Sequence, residues 1–207
     1  MIDLTKIYLY RITHIGNIPH IIDYGITHIN STNSDKEYIS IGDTGLINKR
    51  NGKILENGLF LGEYIPFYFG VRMPMLFIIQ NAFNDVPLIN PENIVYCITS
   101  VAKVVEQNLD FIFTDGHAIQ SITSYCFDKD ISKIKSFIDF KAVKARYWND
   151  PNDEDLKRKK EAEFLIKNDI PFSCILGFAV YNENAKQKLL EYGILENRIV
   201  IKRDYYF

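Results

Sequence analysis

Tyrosines alternate with aliphatic residues over positions 6–12, the two-residue period of a half-buried strand. Residues 16–24 then predict a short helix, with Gly25 placed to cap its C-terminus. From Ser31 to Gly62 the chain is rich in Asn, Asp, Ser and Gly and sustains no apolar period. Long irregular stretches of that kind in compact domains are usually functional or disordered. The apolar run at 64–69 predicts a strand, and 74–82 a helix with a proline near its start. Short strands are expected at 94–98 and 111–113, around a helix at 100–107. Residues 119–140 read equally well as either type of element. Residues 141–155 predict a loop, with Pro151 and the acids Asp150, Asp153, Glu154 and Asp155. Strands are expected at 162–166 and 173–181, a helix at 184–191 with Gly193 just past its end, and a last strand at 199–201.

The result is a mixed α+β domain, with strands too scattered for regular βαβ winding. No internal repeat, low-complexity segment or flexible linker interrupts it, so 207 residues are expected to form a single domain over 1–207.

Composition narrows the class. With 47% hydrophobic and 24% charged residues the chain is of globular type, and no run nears the roughly 18 apolar residues of a membrane span. The opening Met1-Ile2-Asp3-Leu4-Thr5-Lys6 lacks the basic and apolar regions of a signal peptide. Cys97, Cys126 and Cys174 are odd in number and form no CxxC pair. That argues against a disulfide framework or zinc site and fits a reducing cytoplasm. The histidines, His14, His20, His28 and His117, lack metal-site spacing, so no metal is expected. No GxGxxG fingerprint, P-loop or GxSxG elbow occurs, which disfavours a Rossmann dehydrogenase or a P-loop kinase.

Charge changes the picture through its distribution. The net charge is only −2, yet Lys129, Lys133, Lys135, Lys141, Lys144 and Arg146 face two acids, Asp130 and Asp139. Lys157-Arg158-Lys159-Lys160 follows, running into Glu161-Ala162-Glu163-Phe164-Leu165-Ile166. Charge alone leaves a solvated face and a nucleic-acid surface both open. Glu163 is different: a carboxylate inside an apolar strand must be solvated, paired or put to use.

Five segments in order carry a resemblance. They are Tyr10-Arg11-Ile12-Thr13-His14-Ile15-Gly16-Asn17-Ile18, Asn48-Lys49-Arg50, Phe67-Tyr68-Phe69 with Arg72-Met73-Pro74-Met75-Leu76, Thr114-Asp115-Gly116-His117-Ala118, and the basic run leading to Ala162-Glu163-Phe164-Leu165. Together they resemble the DarT family of DNA ADP-ribosyltransferase toxins. The resemblance implies an ADP-ribosyltransferase-like fold, in which two small pinched β-sheets with flanking helices hold NAD. It implies transfer of ADP-ribose from NAD to thymidine in single-stranded DNA, in the cytoplasm, by a monomer that needs no metal or membrane. A macrodomain antitoxin of the DarG kind would remove the mark. The rival readings are a guanine-specific DNA or RNA ADP-ribosyltransferase and a non-catalytic nucleic-acid-binding module.

The family's critical arginine and glutamate fall on Arg50 and Glu163. A carboxylate near the anomeric carbon stabilises oxocarbenium character as the nicotinamide bond breaks, and it can assist removal of the base proton. Arg50 would clamp NAD phosphate or orient the incoming base; its bland alternative is a surface arginine beside Lys49. For NAD the resemblance also implies His14, Asn17, Tyr68 and Met75, with Tyr68 stacking on nicotinamide and Met75 as an apolar wall. For DNA it implies His117, Arg146, Trp148, Arg158 and Lys159. The bland reading of Trp148 is a core anchor. The family segment that corresponds to residues 72–75 reads arginine-serine-proline-methionine; here Met73 takes the second place, a departure that bears on the choice of base.

Overall fold

The computed structural model describes residues 3–127 and 131–207. Lys129 and Asp130, counted in the basic stretch, lie outside the described residues. In chain order the elements are β1 (Tyr8–His14), α1 (Ile18–Tyr24), α2 (Thr44–Gly52), β2 (Tyr64–Tyr68), α3 (Pro74–Asn81), β3 (Ile94–Ser100), α4 (Val101–Glu106), β4 (Phe111–Thr114), β5 (Tyr125–Cys126), α5 (Ile134–Phe137), α6 (Phe140–Lys144), α7 (Leu156–Lys160), β6 (Glu163–Lys167), β7 (Gly177–Val180), α8 (Glu183–Glu191) and β8 (Ile199–Ile201).

The strands run in the order β5-β4-β6-β2-β1-β3-β7-β8. Pairing is antiparallel except between β7 and β8. β1 pairs with β3 along its full length, from Tyr8↔Ser100 to His14↔Ile94. β2 pairs with β6 from Tyr64↔Lys167 to Tyr68↔Glu163. Between β1 and β2, in contrast, the register holds at one pair, Tyr10↔Tyr68. The sheet therefore parts there into two four-stranded halves joined at a point, which is the pinched arrangement of the expected α+β fold.

Strand periodicity sorts the core. On β3, Val95 and Cys97 face one apolar cluster while Ile94 and Tyr96 face another. On β6, Phe164 and Ile166 join the first, and Leu165 joins a third. Side chains on alternate positions leave opposite faces of a strand, so a strand covered on both sides reads as a continuous apolar run.

The elements seen in the sequence are present, with boundary shifts and three additions. α2 lies inside the stretch expected to be irregular. It buries no residue, so it leaves no apolar period to detect; Asp43 caps its start by accepting from Leu46 N–H. α6 occupies the start of the expected loop, with Asp139 as its cap. α7 holds the four consecutive bases, which again show no apolar stripe. The strand expected at 173–181 begins only at Gly177, after a tight turn at Phe172–Cys174.

Three ties fix the residues 27–62 over the sheet. Asn17 is buried, donates to Thr13 Oγ1 and Ile39 O, and accepts from Ile39 N–H, each at 2.9 Å. Asp169 accepts from His28 N–H at 2.7 Å and Ser31 Oγ at 2.6 Å. His28 Nε2 lies 2.6 Å from Gly62 O. Gly25 sets the entry to this segment with φ +80°, and a β-carbon there would lie 2.1 Å from Ile170 O. No helix among the described residues is long and apolar enough to cross a membrane.

Candidate active site

β6 starts at Glu163, directly opposite Tyr68. The Glu163 side chain is fully buried. Its Oε2 accepts from Arg50 Nη1 at 2.8 Å, and its Oε1 accepts from Ala118 N–H at 2.8 Å. The Thr114 hydroxyl holds the strand start, accepting from Glu163 N–H at 3.1 Å and donating to Gly116 O at 2.7 Å. His117 Nε2 stands 3.9 Å from Oε1. Burial pushes the His117 pKa down, while the Glu163 carboxylate pulls it the other way. Tyr68 is pushed well above the usual phenol range, first by burial and then by Glu163.

Arg50 sits in the last turn of α2. One of its terminal nitrogens, Nη2, is buried with no hydrogen-bond partner among the described residues. One turn on, Lys53 Nζ donates to Ala118 O at 2.7 Å and lies 5.2 Å from the Tyr125 ring centre. Tyr125 also donates to Ala118 O. Burial, with Arg50 nearby, lowers the Lys53 pKa.

In front of this cluster lies a cavity of about 530 Å³. Asn17, Arg50, Tyr68, Met75 and His117 line it, as do residues of the polar 27–47 stretch. A side recess of about 40 Å³ opens between α2 and α3, sharing Asp43, Leu46, Tyr68, Met75 and His117 with the main cavity. Glu161 lines the recess only. Sites for small molecules are typically concave, largely apolar and about 300–1,000 Å³ in volume, with a few convergent polar groups. A carboxylate fixed by two donors, with a cation and an imidazole beside it, can stabilise positive charge that develops in such a cavity. Among the described residues no cluster could hold a metal ion.

Of the anticipated residues, Arg50, Asn17, Tyr68, Met75 and His117 line the cavity, while Glu163 is outside its lining but touches Arg50 and stands 3.9 Å from His117. His14 is placed differently: it ends β1, is absent from the cavity wall, and accepts from Gly16 N–H through Nδ1 at 3.1 Å. Arg146 is exposed. Trp148 packs edge-on against Phe77 and Phe207, at 5.7 Å from each, so its anchoring role is the one on display.

The basic run corrects the sequence expectation. Arg158 was expected at DNA, but its Nε and Nη2 donate to Asp155 at 2.6 and 2.7 Å and its Nη1 donates to Asp115 at 2.8 Å. These carboxylates raise its pKa beyond the usual range, Asp155 foremost. Gly116 allows the approach, since a β-carbon there would lie 2.4 Å from the guanidinium. Arg158 thereby braces the Asp115–His117 turn instead of facing solvent. Lys159, also expected at DNA, is shared between Asp153 at 3.4 Å and Asp155 at 3.7 Å. Lys160 is fully buried and donates to the carbonyls of Val71, Val143 and Ala145 at 3.3, 3.4 and 2.5 Å. Burial lowers its pKa to about 8. Only Lys157 of the four is exposed. Three of the four bases are thus held by partners within the protein.

Lys53, Lys160 and Glu161 were not singled out in the sequence. Glu161 carried a signal, since it stands two residues before Glu163. Lys53 and Lys160 carried none, because nothing local separates a buried lysine from an exposed neighbour.

Residues 10–207 match a family model described as "ssDNA thymidine ADP-ribosyltransferase, DarT". The chain is 31% identical over 208 residues to a DNA ADP-ribosyl transferase of Thermus sp. (strain 2.9), covering 96% of this chain and 95% of that one. It resembles the solved structure of Thermus sp. 2.9 DarT in complex with ADP-ribosylated ssDNA with a TM-score of 0.84, at 28% identity, over 97% of this chain and 96% of that one. For the same DarT in complex with NAD+ the TM-score is 0.80, at 28% identity, with 100% and 99% covered. A DNA ADP-ribosyl transferase–DNA ADP-ribosyl glycohydrolase fusion protein of Thermosipho africanus is 30% identical over 161 residues, 76% of this chain and 38% of the fusion.

Proposed function

The chain belongs to the DarT family, and from that premise we propose that it transfers ADP-ribose from NAD to thymidine bases in single-stranded DNA. One observation carries the assignment of roles. Arg50 lines a cavity whose size suits a dinucleotide, and it holds the fully buried Glu163 carboxylate at 2.8 Å. The residues fit NAD on their own chemistry: Arg50 Nη2 is a buried donor awaiting an acceptor, and Tyr68 and Met75 offer an aromatic and an apolar wall. When bound, NAD supplies an activated glycosidic bond with nicotinamide as the leaving group.

The chain's own residues then divide the work. Glu163, held by Arg50 and the Ala118 N–H, presents negative charge to the ribose carbon as it turns cationic. Arg50 keeps that carboxylate oriented and has a free donor for the co-substrate. Asn17 fixes the polar segment that closes the cavity. Tyr68 and His117 exclude water from the reacting centre, and His117 reaches the acceptor side. Arg146 supplies positive charge toward the DNA backbone.

The enzyme acts as the toxin of a cytoplasmic pair, and its partner is a macrodomain hydrolase that removes the mark. The fused glycohydrolase of the Thermosipho relative supports that pairing. The chain is taken as a single catalytic domain that works as a monomer.

Labelled NAD incubated with single-stranded oligonucleotides tests the reading. Wild type should label thymine-containing strands and Glu163→Ala should not; a base-substitution series separates thymine from guanine. Absence of label on every oligonucleotide sinks it, as does an unchanged rate in Glu163→Ala.

A further inference from the structure

Two residues before Glu163 stands a second carboxylate, Glu161, only 8% exposed. Buried carboxylates ordinarily have partners, because an unpaired one is costly. Among the described residues, none donates a hydrogen bond to Glu161. It faces the recess that opens off the main cavity, across from Tyr68, Met75 and His117. Tyr68 and His117 are also the residues that flank Glu163. A largely buried carboxylate facing a recess that shares Tyr68, Met75 and His117 with the main cavity is placed to bond a group that enters there.

Glu163 is poorly placed to accept a proton as well as to stabilise a cation. Both its oxygens are engaged, one by Arg50 and one by the Ala118 N–H, and the side chain is sealed from solvent. Transfer to a thymine ring nitrogen, however, requires that nitrogen to lose its proton. The geometry points to Glu161 as the general base that takes this proton, leaving Glu163 to stabilise the ribosyl cation. This inference rests on the transferase reading above.

The N–H electron pair of the base forms the new bond to the anomeric carbon while the proton passes to a Glu161 oxygen. The carbon–nicotinamide bond breaks with its electron pair going to nicotinamide, which leaves neutral. Glu161 then returns its proton to solvent.

The environment of Glu161 suits the task. Burial pushes its pKa up to about 7, with Glu163 adding to the rise and Lys157 and Lys160 opposing it. His117 and Asp43 face the recess from across it, and Tyr68 from β2. A base is most effective when its pKa lies near the working pH.

The test compares wild type with Glu161→Gln on two acceptors, a thymine oligonucleotide and the same strand carrying 5-fluorouracil, whose ring N–H is more acidic. Direct titration with NAD accompanies the rates. Glu161→Gln should bind NAD within about twofold of wild type and transfer to thymine about 100-fold more slowly, the scale of a lost general base. On 5-fluorouracil the gap should narrow by about tenfold, because an acidic acceptor needs the base less. Glu161→Asp should fall between the two, and it carries the same comparison if Glu161→Gln does not fold. An unchanged thymine rate, an equal loss on both acceptors, or a parallel loss of NAD affinity would each overturn the proposal. Wild type that labels neither strand would instead overturn the transferase reading, and this one with it.

Discussion

Arg50 and Glu163 are 113 residues apart in the chain, yet Arg50 Nη1 lies 2.8 Å from Glu163 Oε2. The contact joins the end of a helix that buries nothing to the start of a strand in the core. One partner cannot be removed without stranding the other. Arg50→Ala should therefore reduce DNA labelling by about 100-fold and destabilise the fold by about 3 kcal/mol, the scale of a broken buried pair. Arg50→Lys should recover much of the stability and little of the rate, since an ammonium lacks the second donor arm. Oligonucleotide labelling and thermal unfolding on the same preparations check both halves.

Asn17 ties the polar stretch to β1 through Ile39 and Thr13. In Asn17→Ala the Ile39 backbone loses both partners on that side chain. KM for NAD should rise several-fold with kcat little changed, and steady-state kinetics at saturating DNA distinguish the two. A loss confined to kcat would contradict this role.

Arg146 and Arg158 should separate on the salt dependence of DNA binding. Arg146 is exposed, so Arg146→Ala should reduce the log–log salt slope by about 0.7 if it meets one phosphate. Arg158 is consumed by Asp155 and Asp115. Arg158→Ala should leave the slope unchanged while slowing transfer, through a loosened Asp115–His117 turn. Fluorescence-anisotropy titrations at several salt concentrations give the slopes.

Glu161 and Lys160 make opposite contributions to stability against pH. The folded Glu161 pKa, about 7, is above its ordinary 4.5, so from 4.5 to 7 the native state holds a proton that the unfolded chain has released. Stability falls as pH rises through that window. For Lys160 the folded value, about 8, is below 10.5, so from 8 to 10.5 the unfolded chain holds the extra proton and stability rises with pH. A trough near pH 7–8 is expected. Glu161→Gln should remove its acid-side slope and raise stability at pH 8 by roughly 2–3 kcal/mol. Denaturant unfolding from pH 5 to 10 measures it. A gain in stability alongside a loss of rate is the pattern of a group retained for function.

Lys160→Met keeps the volume and removes the donors that reach Val71, Val143 and Ala145. Unsatisfied buried carbonyls cost about 1–3 kcal/mol each. The melting temperature should fall by several degrees at pH 7. A variant as stable as wild type would show that the carbonyls find other partners.

Much of this was legible along the chain. The alternation at 6–12, the apolar runs of β3 and β6, and the Gly25 cap are local signals, and they predict the elements that form the sheet. The segments around Arg50, Tyr68 and His117 contain residues that line one cavity, and the segment around Glu163 contains the carboxylate that pairs with Arg50. What eluded the sequence has a common cause. α2, α6 and α7 are short or solvent-facing and lack an apolar period; Asp43 and Asp139 cap the first two, and α7 has no side-chain cap.

The run from Lys157 to Glu163 shows where the division falls. By itself the sequence determined that six charges and one alanine lead into an apolar strand, and that such a carboxylate requires a partner or a purpose. Only the tertiary structure decided their separate fates. Lys157 meets solvent, Arg158 and Lys159 meet acids, and Lys160 meets three carbonyls. Glu163 meets Arg50, while Glu161 meets an open recess. Periodicity is a property of neighbours along the chain, so sequence carries it. The energy of a charge depends on the solvent and partners around it, and here those partners come from 43, 89 and 113 residues away.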